Sequence, residues 1–177
     1  MEENKPTALK NGFNYGLITG AALIVFSLLL FLMDQHMNRS ISWISFIFLI
    51  GGMIYGTLQY RKAAGGYLSY GQAFTACFHI GLFATILATI YTYLFVTVIH
   101  PGYIQELLDM TQARMLESQP DLTDTQVEQA IEMTSKFMNG PMITLTGFVT
   151  NLITSVVIAL LAAIFLKKED PSLTSNM

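Results

Sequence analysis

The chain alternates between long apolar runs and shorter polar segments. The apolar runs cover residues of about 13–33, 41–60, 73–99 and 141–166. A helix needs about 20 apolar residues to cross the hydrocarbon layer of a bilayer, and every run reaches that length. The pattern therefore predicts four membrane-spanning helices. We expect an all-α fold, an integral membrane four-helix bundle in which residues 1–177 form a single membrane domain.

A polar insert of about residues 101–140 separates the third and fourth runs. Its first half carries apolar positions at helical spacing, namely Ile104, Leu107, Leu108, Thr111 and Met115. Its second half opens with Thr123 and Gln126, which have the spacing of a capping box. The insert contains seven acidic residues and only two basic residues, Arg114 and Lys136. These features predict a small helical hairpin, and the orientation of the flanking spans, rather than the charge of the insert, makes the expected hairpin extracytoplasmic.

Composition agrees with a membrane protein. Hydrophobic residues make up 53% of the chain and charged residues 12%, with a mean hydropathy of +0.50. Soluble domains carry roughly 25% charged residues, so about half of the usual water-facing side chains are missing. The net charge of −3 and the lack of a basic stripe exclude nucleic acid as an expected partner. Membrane lipid is the expected surrounding.

Basic side chains predict the orientation of the spans. With four spans, six of them fall on one side: Lys5, Lys10, Arg61, Lys62, Lys167 and Lys168. Only Arg39, Arg114 and Lys136 fall on the other side. Because cytoplasmic loops are enriched in lysine and arginine, we expect both termini in the cytoplasm. The protein should then be a multi-pass protein of the bacterial inner membrane.

The loop between the second and third runs reads QYRKAAGGYLSYGQAF and contains aromatic, basic and glycine residues. Arg61, Lys62, Tyr67 and Tyr70 have the amphipathic character of side chains that anchor a helix at the lipid–water boundary. The paired glycines suit a tight turn or a short interfacial helix. Phosphate-binding loops need a different glycine and lysine spacing. We interpret the loop as an interfacial anchor.

Small residues recur every four positions on each run and so share one helix face. The candidate packing or pathway residues are Gly12, Gly16, Gly20, Gly52, Gly56, His79, Gly81, Gly147, Asn151 and Ser155. Helices in lipid associate where small residues allow close backbone approach. Two interpretations stay open: internal packing of the bundle, or a homodimer contact through the stripe of the first run.

His79 and Asn151 are the polar side chains deep in the apolar runs that attract attention. A histidine bonded to a neighbouring hydroxyl, and an asparagine bonded to another helix, would be structural. A protonatable switch and a substrate contact are the functional alternatives. The runs contain no Asp, Glu, Lys or Arg in their centres, whereas ion-coupled carriers usually need such a group.

No cofactor, metal site or catalytic residue is expected. Histidine and methionine on the outer side have irregular spacing, and no calcium-loop pattern is present. A serine, a histidine and an aspartate exist, but no local motif brings them together as a hydrolase would require. The sequence therefore predicts that the protein is not an enzyme.

Several segments resemble one known family. These are residues 65–74, 99–103 and 122–133, with the terminal pair Lys167 and Lys168. They are similar to a family of uncharacterised four-span bacterial inner-membrane proteins, classified as a domain of unknown function. The resemblance covers nearly the whole chain. It implies an integral inner-membrane protein and supplies no activity, cofactor or catalytic residue.

Two functions follow as hypotheses. The first is a non-enzymatic structural or interaction protein, which contacts a membrane-protein partner or another copy of itself through its small-residue helix faces and outer hairpin. The alternative is a small membrane transporter or channel. A filled interior between the helices favours the first hypothesis, and a continuous polar cavity favours the second.

Overall fold

The computed structural model describes residues 7–119 and 122–168 and is built from helices. In these residues the helices are α1 (Ala8–Leu32), α2 (Arg39–Ala63), α3 (Tyr70–Leu94), α4 (Tyr103–Ser118), α5 (Asp124–Phe137) and α6 (Gly140–Leu166). A π-helical segment, Phe95–Ile99, continues α3. The described residues contain no strand, only an isolated β-bridge. The predicted all-α class is confirmed.

Four of the helices are long and apolar enough to span a membrane. They are Ala8–Leu32, Trp43–Ala63, Tyr70–Ile99 and Gly140–Leu166. Their large apolar side chains stay exposed, as with Ile18 at 64%, Ile47 at 68% and Phe165 at 83%. Exposed apolar surface of this extent does not suit water. The chain is therefore a multi-pass membrane protein, as predicted.

The helix ends lie close to the predicted boundaries, with two instructive differences. α1 begins at Ala8 rather than near residue 13, because the side chain of Thr7 accepts a hydrogen bond from the backbone N–H of Lys10 at 3.2 Å and caps the helix earlier. The third span ends at Ile99 as expected, but its last five residues are π-helical. Apolar length does not distinguish α from π winding.

The described residues form two compact units. The first comprises the residues up to Ala88 and those from Val149 onward, and the second is Thr89–Phe148. The first unit contains α1, α2, most of α3 and most of α6. The second contains the end of α3, the π-helical segment, α4, α5 and the start of α6. The expectation of a single membrane domain stays a prediction.

In the first unit α1 and α3 approach closely at a stripe of glycines. A Cβ atom added at Gly16 would lie 2.6 Å from Cβ of Phe83 and 2.9 Å from the carbonyl oxygen of Ile80. Gly12 and Gly20 face α3 in the same way. No side chain larger than hydrogen fits at Gly12 or Gly16 without a shift of the helices, whereas a Cβ at Gly20 would lie 3.0 Å from Cδ2 of Leu87 and require a smaller adjustment. The stripe is thus occupied by internal packing, one of its two interpretations.

The contact between α1 and α2 uses glycines of α2. Gly52 lies against the side chain of Thr19, and a Cβ at Gly56 would lie 2.7 Å from Cβ of Tyr15. The Asn11 side-chain amide also donates to the carbonyl oxygen of Gly56 at 3.1 Å. This bond is buried, so it joins the two helices where water does not compete.

Apolar side chains fill the space between the helices of the first unit. The fully buried members of this core are Met53, Leu68, Ala73, Cys77, Ile80, Ala84, Ala159 and Ala163. Alanine predominates on α6, so that its backbone lies near its neighbours. The interior of the first unit is therefore packed with side chains around these residues, as a structural bundle requires.

The second unit is organised by tight turns and helix caps. The backbone N–H of His100 donates to Phe95 at 2.7 Å, and that of Tyr103 to His100 at 3.0 Å, which ends the π-helical segment and starts α4. The Gln126 side chain accepts from the backbone N–H of Thr123 at 3.0 Å, as the predicted capping box requires. α4 and α5 then pack together as a helical hairpin.

The glycine stripe gives a direct stability test. We expect Gly16→Ala to lower the free energy of unfolding in detergent by about 1–3 kcal/mol, because the added methyl group overpacks the α1–α3 contact. Gly51→Ala is the matched control, since no atom of the described residues lies within 4 Å of its added Cβ. Alanine favours helix there by about 1 kcal/mol. Thermal unfolding of the purified chains measures both, and equal midpoints would contradict this contact.

Candidate functional site

The predicted anchor loop is joined to the end of α6. The Arg61 guanidinium donates from Nη1 to the carbonyl oxygen of Leu166 at 3.2 Å. Leu68 and Lys168 form an antiparallel bridge, with N···O distances of 2.9 and 2.8 Å. The last carbonyls of a helix lack partners within the helix and carry partial negative charge. Arg61 therefore stabilises the end of α6, and its role as an interfacial anchor stays a prediction.

Two tyrosines of the loop contribute to the same junction. The Tyr70 hydroxyl donates to the carbonyl oxygen of Leu160 at 3.2 Å, and the Lys168 ammonium lies 5.4 Å from the centre of the Tyr67 ring. Gly65 and Gly66 have φ angles of +91° and +92°, which favour glycine and produce the turn. Of the two forms expected for this segment, the structure has the tight turn.

α3 and α6 meet at Gly81 and Ser155. A Cβ at Gly81 would lie 2.8 Å from Cβ of Ser155, and the Ser155 hydroxyl lies 3.4 Å from that of Thr85. Both hydroxyls are buried. The polar pair is thus enclosed between two helices, which limits its access to a substrate.

His79 lies on a different side of α3. Its Cβ faces Gly12 of α1, whereas Gly81, two residues later and about 200° around the helix, faces Ser155 of α6. The Nδ1 atom of His79 is buried and has no hydrogen-bond partner among the described residues, so the expected bond to a neighbouring hydroxyl is not found there. His79 and Ser155 do not converge into a nucleophile–base pair.

The predicted ridge on α6 is only partly a packing surface. Ser155, Ala159 and Ala163 are buried, whereas Asn151 is half-buried. A Cβ at Gly147 would meet no atom of the described residues within 4 Å. The described residues thus show no close helix contact at Gly147, because spacing identifies a smooth face and not a neighbour.

The helical hairpin carries a cleft between α4 and α5. Its volume is about 410 Å³, and it is lined by Gln112, Leu116, Asp124, Val127, Glu128 and Ile131. Val127 is buried at 3% exposure, and Leu116 is 43% exposed. Asp124 and Glu128 are one helical turn apart, and both are exposed. The cleft therefore combines apolar side chains with two carboxylates.

The turn at the start of α4 holds a second polar contact of this unit. The His100 Nε2 atom lies 2.9 Å from Oε1 of Glu106, and the Phe95 and Tyr103 rings pack edge to face at 5.5 Å. Burial raises the pKa of Tyr103, and the charge of Glu106 raises it further. The Tyr103 hydroxyl therefore stays neutral near pH 7.

Sequence reasoning missed a polar groove in the first unit. The groove lies between α1 and α2 and has a volume of about 380 Å³. It is lined by Lys10, Asn11, Asn14, Tyr15, Gln59, Lys62 and Ala63. Lys10 with Asn14, and Gln59 with Ala63, are spaced four apart and so share helix faces. That spacing, at the matching ends of two consecutive spans, was the available signal.

A family model described as "Protein of unknown function (DUF4199)" matches residues 14–168. The chain belongs to this family. The match covers the greater part of every span, the anchor loop and the hairpin, so the predicted membership of a family of unknown function is confirmed. No curated protein and no solved structure matches this DUF4199 chain.

The junction between the anchor loop and α6 gives a second test. We expect Arg61→Ala to lower the free energy of unfolding by about 1 kcal/mol, because the carbonyl of Leu166 loses a charged donor. Lys62→Ala removes the same charge from the neighbouring position, and no hydrogen bond of the Lys62 side chain is found in the described residues. Chemical denaturation in detergent compares the two. An equal loss in both variants would contradict a specific role for Arg61.

Proposed function

We propose that this DUF4199 protein is a non-enzymatic membrane protein that contacts a partner protein through the cleft of its helical hairpin. The observation that carries the proposal is the pairing of apolar and acidic side chains in this cleft. The partner surface that fits it presents apolar side chains flanked by lysine or arginine. Membrane-spanning helices then serve to hold the hairpin at the bilayer.

Charge supports a basic partner. Asp124 and Glu128 line the cleft, and the insert as a whole has seven acidic residues against Arg114 and Lys136. Complementary charge increases the rate of encounter and suppresses wrong partners. The apolar lining from Leu116 and Val127 supplies the surface whose burial stabilises a complex.

Two further exposed apolar side chains lie on a different face of α5 from the cleft. Met133 is 65% exposed and Phe137 is 67% exposed, and they lie four residues apart on one face. Exposed apolar patches bordered by polar residues are typical of protein or membrane contacts. The hairpin is therefore a better contact surface than the glycine stripe of α1, which α3 occupies.

The competing function, a small transporter or channel, would use His79 and Asn151 as polar points on a path. The filled interior of the first unit weighs against it, because Met53, Ile80 and Ser155 are each fully buried between the helices. A path would require these side chains to move apart.

Site-specific crosslinking tests the hairpin proposal. We expect a photo-reactive amino acid at Leu116, in the full chain in native membranes, to form one discrete protein adduct. Asp124→Lys combined with Glu128→Lys should reduce the yield about ten-fold or more, because like charges would then meet the basic partner. The adduct is measured by gel mobility and identified by mass spectrometry.

The matched control reverses two charges of the same hairpin outside the cleft, with Asp109→Lys and Glu117→Lys. It should leave the adduct in place. An adduct of twice the chain mass would identify the partner as a second copy. Adducts with lipid alone, or equal losses in both double variants, would contradict the proposal.

We also propose that both termini face the cytoplasm of a bacterial inner membrane. The support is the group of six basic residues, of which Arg61 and Lys168 belong to one structural junction. Lysine and arginine of short loops are retained on the cytoplasmic side. The hairpin then lies on the opposite side.

Cysteine labelling tests this topology. We expect Ser118→Cys to react with a membrane-impermeant maleimide in intact cells, whereas Gly71→Cys should react only after the membrane is opened. Both positions are exposed, and the native Cys77 is buried and serves as an unreactive background. The reverse order of labelling would invert the proposed orientation.

A further inference from the structure

The described residues that line the groove between α1 and α2 include cationic and amide side chains and no carboxylate. Lys10 and Asn14 come from the first turns of α1, and Gln59 and Lys62 come from the last turns of α2. Lysine offers three N–H donors, and asparagine and glutamine amides offer two each. Its chemistry is therefore that of an anion site.

The two lysines have no acidic partner in the described part of their unit. Asp34 is the one acidic residue there, and it follows the far end of α1, 22 positions of helix from Lys10 to Leu32, or about 33 Å at the rise of a helix. No ion pair of Lys10 or Lys62 is found among the described residues. Among the described residues of this unit, two positive charges thus face one groove without a neutralising carboxylate.

The groove is held in shape by a buried contact. Asn11 is 6% exposed, and its amide donates to the carbonyl oxygen of Gly56 at 3.1 Å. Tyr15 packs on Gly56 and places its ring edge to face on Tyr55 at 5.9 Å. α1 and α2 are therefore fixed to each other directly below the lysines, so a ligand would meet a formed site.

The level of the groove indicates where its ligand comes from. Candidate spans begin at Ala8 and end at Ala63, so the groove lies where a span leaves the hydrocarbon layer and lipid phosphates begin. The positive end of the α1 dipole and the negative end of the α2 dipole both lie here, so the charge of the groove comes from its lysines. Basic pockets between spanning helices at this level are suited to anionic headgroups.

We propose that the groove of Lys10, Asn14, Gln59 and Lys62 binds a phosphate-bearing anion, the headgroup of an anionic lipid or a free phosphate compound. The lysines supply the charge, and the amides donate to phosphate oxygens. This site is independent of the hairpin cleft, and either can fail without the other.

Native mass spectrometry of the full chain in mild detergent tests the lipid source. The chain is titrated with phosphatidylglycerol and with phosphatidylcholine of the same acyl chains. We expect preferential binding of phosphatidylglycerol, and a loss of about 25-fold in Lys10→Gln with Lys62→Gln, at about five-fold for each lysine. Lys10→Arg with Lys62→Arg should retain binding, which separates loss of charge from loss of fold.

The matched control removes two charges near the same boundary, with Lys167→Gln and Lys168→Gln. It should keep most of the preference for phosphatidylglycerol. If the groove variant loses no more binding than this control, the lysines act through general membrane charge and the proposal is overturned. Asn14→Leu keeps the charge and should reduce binding to an intermediate level.

A second arm distinguishes a soluble ligand. Inorganic phosphate and glycerol 3-phosphate are titrated while thermal unfolding is followed, because a ligand of the folded state raises its midpoint. A rise in the wild type that is absent from Lys10→Gln with Lys62→Gln, without lipid preference, would assign the site to a free phosphate. If binding appears only after Glu2→Gln with Glu3→Gln, the chain itself occupies the groove, which overturns the proposal.

Discussion

The first unit depends on how closely the backbones of its helices approach one another. In lipid there is no gain from removing apolar side chains from water, so helices associate through close van der Waals contact and hydrogen bonds. Gly16 provides this contact between α1 and α3, and Gly52 and Gly56 provide it between α1 and α2. Large side chains at these positions would separate the helices, and the buried bond from Asn11 to Gly56 would lengthen. Close approach therefore also determines whether the polar groove between the start of α1 and the end of α2 keeps its shape.

The sequence predicted the helices well because their cause is local. A run of about 20 apolar residues has to satisfy its backbone hydrogen bonds internally, and the helix does so. Thr123 and Gln126 predicted the start of α5 for the same kind of reason, since a cap involves neighbours in the chain. The π-helical winding at Phe95–Ile99 was not predictable, because a run of apolar residues is equally compatible with an α-helix and a π-helix.

Contacts between helices were predicted less completely. Gly81 and Gly147 are both glycines on small-residue faces, but Gly81 meets Ser155 and Gly147 meets no described atom. The spacing of small residues predicts that another helix can come close to this face, whereas which helix does so depends on how the whole unit packs. The groove and the hairpin cleft were missed for the same reason, because each is formed by side chains of two helices. His79 shows a further limit, since nearby hydroxyls in sequence did not provide a partner for its Nδ1 atom.

Arg61 and Lys62 show why basic residues at a membrane boundary have to be considered one by one. As orientation signals the two are equivalent, since each adds one positive charge to the same short loop. Successive residues of a helix point about 100° apart, so one reaches Leu166 of α6 and the other reaches the groove beside α1. The planar guanidinium suits a fixed carbonyl oxygen, and the flexible ammonium suits a ligand that arrives from solvent or lipid. A count of charges predicts the orientation of the chain, but the direction of each side chain separates an internal support from a surface available for binding.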